Sequence, residues 1–549
     1  MAGGVLLWWA NGRGASLVDG GGGAASGQEP PPEPASIGDL RRRTVARRRA
    51  QPTTVRHMAQ LIPMSPSDYT WLQMDRPTNL MLVRCLIWYA GDLSLEDIRT
   101  IHQERMVDRF GVFKQRAVNR DGRWYWQPVD DFDIERHIYE VKLPGDGDRQ
   151  AMLDYVAGTM PNQLDPDHPL WKLEVFRGVT GLADEPVTVI WQRFHHSMMD
   201  GIRMVQLLVH MHDFDATHEA VLPGAVGRRP TNRGTVRQSV HTLRRGADEA
   251  ADIALHVARG TSHLPYAFVQ HLRHGELAND LKVFVHPSRI INAFERLGAV
   301  DNKLLNTTGE MARLLASPHE SRSAAWSSPP VIGKKIDYAT GMDLAKVREF
   351  GRRHEATFND VMLAIVSKAL THYLNDQGTP IDEVHWMLPV SMTPMGTGMP
   401  RALGNDFALV FLSLPLGIND WPELLTAVKE RSSRLKNSQE PTIAHELQRM
   451  MARFPKKLSV GMTNMFASKT VGVLTNVPGP TQPMYFANAE AVGWIGFVPT
   501  NGDEPIGLCV FSYNGQVFVG VTTDAHAIPD PGRIAELIKH YYDEMIATP

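Results

Sequence analysis

A chain of 549 residues is long enough for about two or three domains and a sizeable core. Its 43% hydrophobic and 21% charged residues are ordinary for a soluble globular protein, and a net charge of −3 argues against a general polyanion or nucleic-acid binder. Cys85 and Cys509 cannot build a disulfide framework or a thiolate metal cluster, so a reducing, cytoplasmic setting is the simplest reading. No apolar run reaches the ~18 residues needed to span a bilayer. VLLWWA (Val5 to Ala10) resembles a short secretory core, but no basic segment precedes it and a glycine tract follows it.

Residues 1–59 read as a disordered tail, with a glycine run at 20–23, a proline-rich stretch at 30–34 and the basic cluster Arg41 to Arg49. Such a segment cannot bury enough apolar surface to offset its ordering entropy. A first domain is expected over 60–225. Ser65 or Ser67 would cap its first helix, Leu80 to Ala90 reads as a buried strand, and Ser94 to Phe110 has helical spacing behind a serine cap. VTVIWQRF (Val187 to Phe194) reads as a strand. GIRMVQLLVHMHDF after it reads as a helix with Ile202, Val205, Leu208 and Val209 on one face.

Residues 226–330 change in character. Arg228 to Arg245 carries six arginines and no carboxylate, and the region reads as a long, mostly helical crossover. A second domain is expected over 331–549. Its elements are a helix over Thr357 to Leu374, strands over Asp406 to Leu414 and Thr470 to Val477, and a closing helix near Arg533 to Ile546. Ile506 to Asp524 reads as a hairpin turning at Asn514-Gly515.

The chemistry concentrates where strand gives way to helix, in HHSMMDG (His195 to Gly201). Two histidines at such a junction fit either packing or proton transfer, because the unperturbed imidazole pKa lies near neutrality. Adjacent strand residues point to opposite faces, so only one ring can face a cleft, and a shared metal is disfavoured. Asp200 is placed to cap the following helix, and Gly201 to allow close backbone packing. Ser197 lacks an activating arrangement.

HHSMMDG resembles the signature of the coenzyme-A-dependent acyltransferase superfamily, which includes chloramphenicol acetyltransferase and peptide-synthetase condensation domains. Further stretches narrow the resemblance to the bacterial wax ester synthase/diacylglycerol acyltransferase family. They are MSPSDYTWLQMDRPTNLM, the Pro169-Leu170-Trp171 motif, the Asn359-Asp360 pair in TFNDVMLA, and TNVPGP (Thr475 to Pro480) with Asn476, Pro478 and Gly479. The resemblance runs from about Met64 to the C-terminus. In two places the chain departs from the pattern: PVSMT ends in Thr393 where the family shows arginine, and Thr475 stands in for a serine.

The resemblance implies an α/β (α+β) fold of two chloramphenicol-acetyltransferase-like domains with a tunnel between them. It makes His196 the general base that moves an acyl group from a long-chain acyl-CoA co-substrate to diacylglycerol or, second, a long-chain alcohol. It implies no metal or prosthetic group. Asp200 would be structural, paired with a basic residue for which Arg109, Lys114 and Arg116 are candidates. Asn359, at a helix start, would supply an amide N–H to the developing oxyanion, or would merely help begin its helix. His195, Gly201, Asp360 and the proline-containing motifs would support the site, and Asp360 would cap its helix. Nearly insoluble substrates imply peripheral association with the inner face of the membrane or with lipid inclusions. The arginine clusters would contact anionic lipid, or the second of them coenzyme A phosphates. The alternatives are a condensation-type enzyme with a carrier-bound donor and a non-catalytic lipid-binding or lipid-body protein.

Overall fold

The strand and helix signals assemble, in a computed structural model, into two six-stranded sheets flanked by helices. The structure describes residues 61–214 and 326–548, apart from 393–398, 401, 439, 452–455 and 501–502. The expected tail, nearly all of the expected crossover and Thr393 lie outside the described residues.

The first half contributes strands β1 (Ile62–Pro63), β2 (Leu82–Ala90), β3 (Gln115–Arg120), β4 (Arg123–Pro128), β5 (Ile138–Glu140), β6 (Trp171–Val179) and β7 (Val187–His195). The second contributes β8 (Lys334–Asp343), β9 (Glu383–Ser391), β10 (Phe407–Pro415), β11 (Gly472–Pro478), β12 (Tyr485–Phe486), β13 (Ala489–Phe497), β14 (Ile506–Tyr513) and β15 (Gln516–Asp524). One sheet has the order β12-β13-β2-β7-β6-β5, the other β10-β9-β11-β14-β15-β8, and β1-β4-β3 form a small third sheet. Pairing is largely antiparallel, with parallel ladders at β5–β6, β9–β11 and β11–β14.

The sheet orders show how the halves are joined. β13, from the second half, pairs antiparallel with β2, placing Trp494 opposite Ile87 and Gly496 opposite Cys85. The boundary expected near residue 331 therefore marks a change of sheet, but the chain returns to complete the first sheet at 485–497. The first core accordingly includes Phe486, Trp494, Ile495 and Phe511 alongside Leu86, Trp171 and Ile190.

Local signals explain most element boundaries. Ser65 caps the helix Pro66–Met74 by accepting from the Asp68 N–H at 3.1 Å, with Pro66 in the first turn where a missing N–H costs nothing. Thr357 and Asp360 form a capping box at the start of the helix Phe358–Asp376. Asn514 and Gly515 both take positive φ, 45° and 76°, as the tight hairpin turn requires. Every residue of β7 is buried, as expected for a strand paired on both edges and covered on both faces.

One helix departs from its spacing. The Leu95–His102 helix gives way to a wider π-type turn over Gln103–Val107 instead of running to Phe110. There Arg105 is held by the Met211 carbonyl (2.9 Å) and, bidentately, by Asp213 (2.9 and 3.1 Å) at the end of the Gly201–Met211 helix. A tertiary ion pair overrides local helical preference at that point.

Candidate active site

β7 delivers the histidine pair. Its ladder with β2 ends with His195 opposite Leu82, after which the His196 N–H donates to the Met81 carbonyl at 2.8 Å. The two rings then part. His195 is fully engaged by the protein: the Ser197 N–H donates to Nδ1 at 3.0 Å, which leaves Nε2 as the donor to Asp75 Oδ2 at 3.1 Å. Asp75 in turn accepts from the Met81 N–H at 2.6 Å. His195 is thus a brace for the junction.

His196 faces a cavity of about 1090 Å³ between the two halves. The cavity is lined mainly by apolar side chains, among them Val83, Val205, Met387, Leu409, Trp494 and Phe511. A second cavity, of about 910 Å³, shares the wall made by Trp71, Met387, Phe407 and Leu409. Its lining is more polar, with Ser67, Thr70, Asn405, His445, Gln448 and Arg449. These adjoining spaces occupy the place of the expected tunnel. On the Gly201–Met211 helix, Ile202, Met204, Val205 and Leu208 border the His196 cavity, and Leu207 and Met211 are buried in the core.

The imidazole of His196 is packed against aromatic rings and oriented. Trp71 stacks on it at 4.1 Å between centroids, with ring planes 20° apart, and Phe407 lies 5.4 Å away. His196 Nδ1 is 2.8 Å from Asn405 Oδ1. The Asn405 amide orientation follows from its other contacts: Nδ2 donates to two acceptors, Asp68 Oδ1 at 2.9 Å and the His196 carbonyl at 2.8 Å. Its oxygen must therefore face Nδ1, so Nδ1 carries the hydrogen and Nε2 keeps its lone pair. Burial holds the His196 pKa down at about 4, partly opposed by the Asn405 bond. Near neutral pH the ring is an uncharged imidazole whose basic Nε2 has no partner among the described residues.

Asp200 is buried and caps the Gly201–Met211 helix by accepting from the Arg203 N–H at 2.9 Å. Its other oxygen accepts from the Asp406 N–H at 3.0 Å, and its own N–H donates to the Gly404 carbonyl. The expected ion pair is corrected here. Lys114 pairs with Asp108 and Arg116 with Asp167, and the cation that favours the charged form of Asp200 is Arg203; Arg109 has no such role. Backbone N–H groups satisfy this carboxylate, as is common at helix caps. Burial nevertheless pushes its pKa above the ordinary carboxylate value, because desolvation outweighs those bonds.

The remaining expected residues sort by position. Gly201 borders the cavity, but a Cβ added there would meet nothing within 4 Å, so close backbone packing is not what the glycine provides. Pro169, Leu170 and Trp171 are buried structure. The Leu170 carbonyl accepts from the His195 N–H at 2.9 Å, and Trp171 donates Nε1–H to the Phe113 carbonyl and stacks on His137. Asp360 completes its capping box and accepts from the Ser432 hydroxyl at 2.7 Å.

Asn359 borders neither cavity. Its Oδ1 accepts from Asn476 Nδ2 at 3.1 Å. On β11 the cavity-lining residues are Val473, Thr475 and Val477, so strand alternation turns Asn476, and Asn359 with it, to the other face. Asn359 Nδ2 is buried without a partner among the described residues. Pro478 is exposed, and Gly479 is where the chain passes so close to the Ser512 carbonyl that a Cβ would collide with it.

Sequence reasoning missed Trp71, Asp68, Asn405 and Phe407, all gathered around His196. Asp68 and Trp71 stood inside MSPSDYTWLQM. Asn405 follows a glycine directly before β10, but nothing local ties it to residue 196.

Residues 64–362 match the wax ester synthase/diacylglycerol acyltransferase catalytic domain, and residues 403–546 match the C-terminal domain of that family. The chain is similar to a probable diacylglycerol O-acyltransferase of Mycobacterium tuberculosis, 23% identical over 428 residues that cover 77% of this chain and 81% of that protein. A putative diacylglycerol O-acyltransferase of the same organism is 24% identical over 424 residues, 75% of this chain and 74% of that one. Among solved structures, the wax ester synthase/diacylglycerol acyltransferase of Marinobacter aquaeolei VT8 superposes with a TM-score of 0.59 at 18% identity, covering 88% and 98% of the two chains. The first condensation domain of the calcium-dependent antibiotic synthetase gives 0.51 at 13% identity, covering 89% and 97%. Both share the fold. The chain belongs to the wax ester synthase/diacylglycerol acyltransferase family and is an acyltransferase.

Proposed function

We propose that the chain transfers a long-chain acyl group from acyl-CoA to the hydroxyl of diacylglycerol, and secondarily of a long-chain alcohol, with His196 as general base. The observation that carries the proposal is a neutral imidazole with Nδ1 committed and Nε2 free, at the wall of a large apolar cavity. In this reaction Nε2 takes the hydroxyl proton as the oxygen attacks the thioester carbonyl carbon. The resulting tetrahedral intermediate breaks its C–S bond, and the proton passes to the departing thiolate. The adjoining apolar spaces suit two substrates with hydrocarbon chains meeting beside one base.

The intermediate places negative charge on the former carbonyl oxygen, and that charge needs a fixed donor. The turn of Asn359 away from the cavity favours Thr475, whose hydroxyl-bearing side chain borders the same cavity as His196 and stands where the family pattern has serine. Thr475→Val should lower turnover on the order of 10²–10³-fold, as loss of one oxyanion donor does. Turnover of Asn359→Asp close to that of the parent would agree, and a loss confined to Asn359→Asp would restore the amide.

Peripheral association with a membrane or lipid-inclusion surface is part of the same proposal. It is supported by the apolar character of the substrates and by partly exposed Leu61, Ile62, Phe214 and Ile332. Among the described residues no helix is long and apolar enough to cross a membrane. Flotation with anionic liposomes at low and high salt tests it: binding lost at high salt indicates contact through the arginine clusters, binding that persists indicates apolar contact, and no binding at either salt refutes it.

The acyl-transfer reading is tested by separating the products formed from labelled palmitoyl-CoA with diacylglycerol or hexadecanol. Labelled triacylglycerol, with less wax ester, is expected. Free coenzyme A without either ester, or no turnover at all, would contradict it.

A further inference from the structure

The base is completed by a segment from the other half of the molecule. Gly404, Asn405 and Asp406 lead into β10, and two carboxylates from the first half grip them from both sides. Asp200 takes the Asp406 N–H at 3.0 Å and donates its own N–H to the Gly404 carbonyl. Asp68 takes both the backbone N–H (3.0 Å) and the side-chain amide (2.9 Å) of Asn405, and is itself held by the Ser65 hydroxyl at 2.7 Å. Between these grips, Asn405 spans the His196 ring and the His196 carbonyl.

Resting on the reading of His196 as base, we propose that Asn405 is the residue that sets its tautomer and orientation, and that Asp68 and Asp200 act through Asn405 as positioning residues. This gives Asp200 a second task beside helix capping. It also makes a competent base depend on docking of the 404–406 segment, because among the described residues Asn405 is the partner of Nδ1.

The chemistry of the choice is specific. A carboxylate directly on Nδ1 would favour the imidazolium and hold a proton on the ring at neutral pH. Here the neutral amide touches the ring, and the carboxylate of Asp68 sits one residue further back. The other charged or titratable groups around His196 are engaged elsewhere: Asp200 on backbone N–H groups, Asp406 with His445 at 3.3 Å, His195 with Asp75, and Arg84, across the cavity lining, on the Leu82 and Met160 carbonyls. Asn405 therefore orients the ring while leaving it neutral, and Trp71 fixes its plane.

Two variants test this, with His196→Ala as the reference. Asn405→Leu keeps the size but offers no acceptor, so the ring is free to turn or change tautomer. Its kcat should fall on the order of 10²-fold, within the contribution of a general base, while KM for palmitoyl-CoA changes little. In the pair Asp68→Asn with Asn405→Asp, the carboxylate moves next to Nδ1, at the cost of the bond to the His196 carbonyl and of the acceptor for the residue-405 backbone N–H. The acidic limb of its kcat/KM profile should rise by about one pH unit or more, the effect of an adjacent opposite charge. Turnover of Asn405→Leu within about threefold of the parent, with His196→Ala inactive, would overturn the proposal while sparing the base. A His196→Ala enzyme that still turns over would instead overturn the base itself. Should Asn405→Leu fail to fold, the paired variant decides: a raised limb supports the proposal and an unmoved limb overturns it.

Discussion

At His195 both ring nitrogens are taken up by the Ser197 backbone and Asp75, whereas at His196 only Nδ1 is, and that difference separates two neighbours of the same type. His195→Ala should act through stability, because it strips the Asp75 carboxylate and the Ser197 N–H of a buried partner. A cost of about 1–3 kcal/mol in urea unfolding is expected, the usual penalty for an unsatisfied buried group, with turnover reduced less than in His196→Ala. Asp200→Asn tests the corrected role of that residue. Both carboxylate oxygens accept backbone N–H groups, so an amide must turn a donor toward one of them. The loss should again be about 1–3 kcal/mol, below the roughly 3–5 kcal/mol expected had a buried ion pair been broken, and it should come with reduced kcat. A fall near the larger figure with unchanged kcat would point back to an ion pair.

Among the elements, β13 carries the most consequence. It is the strand by which the second half completes the first sheet, and at Gly493 it passes so near the Trp88 ring that any Cβ would collide with it. Gly493→Val should destabilise by about 1–3 kcal/mol or more through overpacking. It should also split the thermal transition, since it loosens the ladder that couples the halves; an unchanged single transition would contradict this. The strands β2, β7, β10 and β11, the caps and the β14–β15 hairpin were legible in the sequence because their signals are local. Ser65, Ser94 and Thr357 cap where a short polar side chain precedes an apolar period, and Asn514-Gly515 turns where φ must be positive. HHSMMDG at a strand-to-helix junction located His196, the proposed base. What the sequence did not reveal is non-local. β13 pairs with β2 across some 400 residues of chain, and Asn405 meets His196 across a separation of 209. The place of Asn359 was hidden for a related reason: its helix N-terminus is locally suited to an oxyanion, but that it borders neither cavity is decided only when the sheets pack.

For the molecule as a whole, buried neutral histidines set the response to acid. Burial holds His102, His137, His196 and His212 down at about 4. Below their unfolded value of about 6.5 the unfolded chain binds protons that the folded one refuses, so stability falls as pH drops from about 6.5 toward 4. Asp68 and Asp200, pushed up by burial, act in the opposite sense and offset part of this. The melting temperature should therefore decline between pH 6.5 and 4.5, and a flat profile there would show that these rings are not held neutral. Activity should follow a different course, with turnover per folded molecule holding level down to about pH 5, because His196 stays unprotonated until its folded pKa near 4. The most direct test of the whole account is the turnover of palmitoyl-CoA and diacylglycerol by His196→Ala, measured on protein whose thermal transition matches that of the parent. The account expects a loss on the order of 10²–10⁴-fold, the contribution of a general base, with His195→Ala well above it. Turnover within tenfold of the parent, or equal losses in the two variants with folding intact, would contradict it.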